Sequence, residues 1–315
     1  MSMTEARPAP RPMPPDALNG DTRRKAREMV VKYLFMAAAL ASILISVLIL
    51  WSLVSEAWSF ISQVDVSALN TIGWFPRRGL YDLPTLIVAS LIVTGIAMLI
   101  AVPLGLLSAI YLSEYARPRV RKVVKPTLEI LAGIPSVVLG FFALQWISPE
   151  IIQNIWSSAG PQTLAAAGVG VGILTIPLMA SVSEDAMSAV PGSLREASAG
   201  IGARKMTTTL RVVVPAAISG LTAAFIISAS RAIGETMVVF IAGGGGDGAL
   251  YTADPLDPGL TMTAAMASVA TGTDNVVGEG LTFQSLYFVG FLLFVITLGL
   301  NLAADVFVRR VRNVY

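Results

Sequence analysis

Two oppositely charged residues, Arg231 and Glu235, lie inside the apolar run SGLTAAFIISASRAIGETMVVF (Ser219–Phe240). Four positions apart, they share one face of a helix, a turn from each other. A charge at the centre of a bilayer costs at least ~2.5–3.5 kcal/mol, so such a pair is expected to face a bundle interior or a water-filled cavity. Two readings follow. In one, the pair is a neutralised ion pair that pins helices together; in the other, it lies on the path of a charged solute. Ionisable residues inside a membrane are by default functional, and a purely structural pair is replaceable by apolar residues. Arginine suits a tetrahedral oxyanion, because its planar fork donates two hydrogen bonds and stays charged at any working pH. A resting Arg–Glu pair would keep that path closed until the Glu is displaced.

The second stretch with chemistry in it is SLREASAGIGARKMTTTLRVVVP, Ser193–Pro215, a polar and basic interval between two apolar segments. Ser193 followed by Glu196 reads as a capping box that starts a short helix. Gly200 and Gly202 supply a sharp turn. A second polar helix through Thr207–Thr209 follows, and Pro215 suits the first position of a membrane helix. The expected product is a docking element outside the bilayer. Glu129, a turn inside another apolar stretch, is placed either at the mouth of the path or snorkelling to the interface. The run Gly243–Gly246 with Asp247 lacks the Lys-Ser/Thr of a Walker A motif and reads as a loop outside the membrane. The chain has neither cysteine nor histidine, which excludes thiolate chemistry, Cys/His metal sites and histidine proton relays. With no nucleotide motif in this chain, ATP-driven work needs another subunit to hold the nucleotide and its Mg.

These residues need a membrane scaffold around them. Over 315 residues, 55% are hydrophobic and 13% charged, with a mean hydropathy of +0.72. That is too apolar for a soluble domain of this length. Residues 1–32 read as a Pro-rich, basic, disordered tail, and 33–315 as the transmembrane domain with the polar loop 183–214 inside it. Six apolar stretches are long enough to span ~30 Å: Tyr33–Val54, Leu83–Leu112, Val124–Trp146, Gln162–Val182, Pro215–Ala242 and Phe283–Val308. Pro103 with Gly105, and Gly133 with Pro135, predict kinks in the second and third. Gly220, Ala224, Ser228 and Ala232 form a small-residue stripe for close helix packing. Lys and Arg concentrate in Ser113–Lys125, in the docking interval and in the C-terminal tail. Ile147–Pro161 and Gly243–Thr282 have none, and Ser55–Asp82 has only Arg77 and Arg78. The positive-inside rule therefore places both termini and the docking interval in the cytoplasm. Trp58, Trp74 and Phe75 in Ser55–Asp82 read as interfacial anchors, or as a surface that receives a binding protein.

Glu196-Ala197-Ser198, then Gly202, then Val212-Val213-Val214-Pro215 resembles the EAA loop of permease subunits of ATP-binding-cassette importers. Ser198, Val212 and Val214 are conservative departures from that pattern. Pro103–Ala116, Leu128–Leu144, Arg231–Met237 and Leu281–Leu302 are similar to the phosphate-specific importer, and closer to its PstC-type than to its PstA-type permease. The resemblance covers about Leu83 to Arg312. It implies an all-α, polytopic fold with six transmembrane helices and the type I, MetI-like importer architecture. It also implies a second, PstA-type permease, a PstB-type ATPase dimer that carries ATP and Mg, and a PstS-type binding protein that delivers inorganic phosphate. Ser193, Glu196, Ala197, Gly202 and Pro215 would then belong to the ATPase-coupling loop, and Arg231 and Glu235 to the phosphate path. No catalytic or metal residue and no nucleic-acid partner is implied; membrane lipid is. The alternatives are a permease for sulfate or molybdate, a secondary anion carrier, for which no inverted repeat is visible, and a membrane scaffold or sensor, which leaves the charged pair without a use.

Overall fold

A computed structural model describes residues 22–244, 246, 248–272 and 280–312. Helix α1 (Thr22–Gln63) opens the chain. Its first part, up to Ser52, is a unit by itself, with Leu34, Phe35, Ile43 and Leu44 exposed. A helix apolar on all faces is one made to be surrounded by hydrocarbon. The expected tail at 1–32 overlaps this helix. Thr22–Lys32 is helical, because Arg and Lys are good helix formers and extend the span by its first turns; residues 1–21 lie outside the described residues.

From Leu53 onward the chain forms one compact unit. Strands β1 (Gly73–Phe75) and β2 (Leu80–Tyr81) make an antiparallel pair, and β3 (Ala249–Leu250) pairs with the other edge of β1, Gly73 opposite Leu250. Strands of two or three residues carry no period long enough to read, so this small sheet was not expected. It buries Trp74, which the sequence placed at the interface. Helix α2 (Leu83–Ile110) starts on Asp82, whose carboxylate accepts from Thr85 N at 3.1 Å and from Thr71 N at 2.9 Å. It runs through Pro103 and ends in a π-helical turn, Tyr111–Tyr115.

The third apolar stretch is not one helix. Polar α3 (Pro118–Leu131) buries none of its residues. The chain then breaks at Gly133–Pro135 and resumes as α4 (Ser136–Phe142), continued in π-helical form over Ala143–Gln153. Pro135 lacks an N–H and pushes its predecessor out of the helical region, so the expected kink is a boundary. The apolar span is Ser136–Gln153, not Val124–Trp146.

Helix α5 (Leu164–Ser188) is the most deeply buried of the long spans and is capped by Thr163 Oγ1, which accepts from Ala166 N at 3.0 Å. Its packing on α2 is set by glycine. A Cβ on Gly168 would stand 2.7 Å from Ile96 Cβ, and one on Gly172 3.1 Å from Ile100 Cβ. The four-residue spacing of small residues is what lets two helices come this close. Leu86, Ala89, Val93, Ala97 and Ala101 line the buried face of α2.

The polar interval follows as α6 (Gly192–Gly200) and α7 (Lys205–Thr208), with a π-helical turn at Thr209–Val213 and the short α8 (Val214–Ala216). The axis bends by 71° before α9 (Ile218–Ile233). The fifth span therefore starts at Ile218. Pro215 sits in the bent segment before it, where proline fits the first turn of a short helix. The expected small-residue stripe is a packing interface: Ala224, Ser228 and Ala232 are buried, and a Cβ on Gly220 would stand 2.5 Å from Ala186 Cβ.

Beyond a break at Gly234–Thr236, α10 (Met237–Val239) passes into a π-helical turn, Phe240–Gly244. Gly245 and Asp247 of the glycine run lie outside the described residues. The stretch read as a loop, Gly243–Thr282, holds the apolar α11 (Met262–Thr271), whose Met262, Thr263, Ala264 and Ala265 are buried. Ten residues rise only ~15 Å, half a bilayer core, so its length hid it. Helix α12 (Thr282–Arg312) closes the chain. Among the described residues five helices are long and apolar enough to cross a membrane, or six if α9 is counted with the bent segment before it.

Candidate functional site

The polar interval is a helix, a bend and a helix. Helix α6 starts at Gly192 with Pro191 in the N-cap position and no side-chain cap. The expected capping box is therefore not formed. Helix geometry begins before Ser193, so its hydroxyl is already within the first turn, and both Ser193 and Glu196 point outward as exposed residues. The bend is where the sequence places it. Gly202 has φ 80°, Gly202 N donates to Ala199 O at 2.9 Å, and Ala203 N to Ser198 O at 3.1 Å. This pair of bonds around a left-handed glycine is the Schellman ending of a helix. Ser198 Oγ and Thr208 Oγ1, both buried, meet at 2.8 Å and fasten α6 to α7. The outer face shows Glu196 and Ala197 beside Leu194, Ile201 at 87% exposure and Met206 at 65%.

The inner face is held by Arg195. Its Nη2 donates to Glu114 Oε1 at 2.7 Å and to Met187 O at 2.9 Å, its Nη1 to Val190 O at 2.7 Å, and its Nε to both Glu114 oxygens at 3.2 and 3.3 Å. One guanidinium thus joins α6 to the end of α2, to the last turn of α5 and to the link that follows α5. A second knot lies next to it. Glu184, fully buried, is paired with Arg121 and with Lys125, whose Nζ is 2.7 Å from Glu184 Oε2. Ser188 Oγ donates to Glu184 Oε1 at 2.8 Å and accepts from Arg121 Nη2 at 2.9 Å. Lys125 also pairs with Asp185. Sequence patterning counted Arg121, Lys125 and Arg195 only as topological charges and passed over Glu114, Glu184 and Asp185. The available signal was a carboxylate at the basic end of an apolar run, where water-facing positions are otherwise Lys and Arg. Glu129 shares a cavity of about 560 Å³ with Arg121, Lys122 and Lys125.

Arg231 and Glu235 are not an ion pair. Helix α9 stops at Ile233, so the i, i+4 relation that would bring them together ends at Gly234. Arg231 is exposed and Glu235 half-buried. The Glu235 carboxylate instead accepts, through Oε1, from Thr236 N at 3.1 Å, Met237 N at 3.2 Å and Val238 N at 3.4 Å. The break leaves these N–H groups without helical partners, and the carboxylate supplies one. Thr263 Oγ1 of α11 donates to Glu235 O at 2.7 Å, tying the unexpected helix to the break.

From residue 101 to 313 the chain matches the family described as binding-protein-dependent transport system inner membrane component. The chain belongs to this family. The inner membrane is its place, and its role is that of a permease component. Phosphate transport system permease protein PstC of Haemophilus influenzae is 31% identical over 301 residues, 88% of this chain and 92% of that protein. Its counterpart in Mesorhizobium japonicum is 32% identical, over 78% of this chain and 79% of that one. The probable ABC transporter permease protein YqgH of Bacillus subtilis is 38% identical across 55% of this chain and 57% of its own length. Among solved structures, a bacterial alginate importer aligns over 91% of this chain and 99% of its own at TM-score 0.60 and 16% identity. An inward-facing MetNI methionine transporter aligns over 72% and 93% at 0.52 and 22%. These two share the fold, that of MetI-like ABC permeases.

Proposed function

We propose that this chain is the PstC-type permease of an importer for inorganic phosphate. It pairs with a PstA-type permease, takes phosphate from an extracytoplasmic binding protein and is driven by a PstB-type ATPase dimer that holds ATP and Mg. Both termini and the interval α6–α7 face the cytoplasm, since the Lys and Arg residues gather on that side. The outer face of α6–α7, with Glu196, Ala197 and exposed Ile201 and Met206, docks in the ATPase. Ser193, Gly202 and Pro215 shape that docking element. ATP-driven closure of the ATPase shifts the permease pair between two states, each favoured by a different ligand.

The observation that carries the phosphate reading is Arg231. It is an exposed cation beside a break in an apolar span, in a chain whose relatives over most of its length are phosphate permeases. Among the described residues no carboxylate neutralises it, so its fork is free for an oxyanion. Glu235 caps the half-helix beyond the break. The test is uptake of labelled phosphate into proteoliposomes holding the four-component complex, with sulfate and molybdate as competitors. Phosphate uptake that tenfold sulfate or molybdate leaves intact is the expected result; transport of either competitor in its place would assign another oxyanion.

A further inference from the structure

We propose that Arg195 is the positioning residue that carries movement of α6 into the spans. This rests on the reading of α6 as the coupling helix. The outer face of α6 offers Leu194, Glu196 and Ile201 to a partner. On its inner face the guanidinium of Arg195, 27% exposed, reaches a Glu114 carboxylate that is 6% exposed. It also takes up Met187 O in the last turn of α5 and Val190 O in the link that follows it. Arginine spends its donors on two separate elements at once, which a lysine ammonium cannot do with the same fixed geometry.

The elements it reaches are the ones that must move. Helices α2 and α5 are locked to each other by the glycine contacts at Gly168 and Gly172. The end of α5 is in turn tied to α3 through Glu184, Arg121 and Lys125. A displacement of α6 is therefore passed by Arg195 to α2 and α5 together, and by Glu184 to α3. The backbone link from α5 to α6, Ala189–Pro191, is only three residues long. It ties α6 to α5 alone, and Arg195 adds a direct contact from α6 to Glu114 at the end of α2.

The experiment uses the assembled four-component complex carrying Arg195→Gln, Glu114→Gln, both together, or Arg195→Lys. Co-purified ATPase subunit, binding-protein-stimulated ATP hydrolysis and phosphate uptake are measured on each. Arg195→Gln is expected to retain the ATPase subunit while stimulated hydrolysis and uptake fall together by at least ~10-fold, Arg195→Lys falling less. The double variant is expected to be no worse than the worse single, because residues that act through one contact are not additive. Unchanged uptake would overturn the proposal. So would additive losses, or loss of the ATPase subunit in both Arg195→Gln and Arg195→Lys, which would make Arg195 a determinant of docking alone. Glu196→Lys, on the outer face, separates this from failure of the coupling reading: if that variant still binds and responds to the ATPase, α6 is not the coupling helix.

Discussion

Glu184 is a carboxylate with no exposure whose two cations, Arg121 and Lys125, keep 39% and 24% of theirs. The asymmetry decides what each substitution costs. Removing both cations strands a buried charge, which costs about 3–5 kcal/mol. Removing the carboxylate leaves cations that can turn to water or to Asp185, so the loss is that of ordinary hydrogen bonds to charged groups, about 1.5–3 kcal/mol. Arg121→Ala with Lys125→Ala should therefore lower the thermal midpoint of the detergent-solubilised protein more than Glu184→Gln does; the reverse order would contradict this asymmetry. Glu235 is a carboxylate of another kind. Its bonds go to three backbone N–H groups of the next half-helix, and Glu235→Gln keeps an acceptor there while giving up the charge.

Among the elements, α2 and α5 bear the architecture, and glycine decides how closely they pack. Gly168→Val places two methyls where Ile96 already stands, with the first added carbon at 2.7 Å. Gly95→Ala meets nothing within 4 Å and relieves a helix of its glycine. Expression of folded permease, followed by size-exclusion chromatography, should collapse for the first and hold for the second; tolerance of Gly168→Val would contradict the packing. The long apolar spans were legible from composition, because hydropathy over ~20 residues is a strong signal. The bend at Gly202 was legible too, since only the glycine could take a left-handed φ there cheaply. Four things were not. The starting turn of α6 was misassigned because a Ser-x-x-Glu spacing fits a helix interior as well as a cap. The Arg231–Glu235 pair was read across a helix that in fact ends at Gly234, and spacing cannot report where a helix stops when the breaking residue is a glycine that helices tolerate. Helix α11 was too short, and the ion pairs Lys125–Glu184 and Arg195–Glu114 join residues 59 and 81 positions apart, which no local pattern records.

At the scale of the whole molecule, the chain joins the polar interval α6–α7 to a broken span bearing Arg231. Arg195 ties that interval to the end of α2 and the end of α5, and α5 packs on both α2 and α9. In the proposed function this arrangement passes phosphate inward when a separate ATPase works. Its most direct measurement is uptake of labelled phosphate by cells that lack their own high-affinity importer and are supplied with the partner permease, ATPase and binding protein. The present chain is supplied as wild type or as Arg231→Gln. Uptake with wild type, its loss by at least ~10-fold in Arg231→Gln with the complex still assembled, and its absence without the ATPase subunit is the expected result. Uptake that survives Arg231→Gln would remove the arginine from the phosphate path, and uptake that persists without any ATPase subunit would contradict the importer account itself.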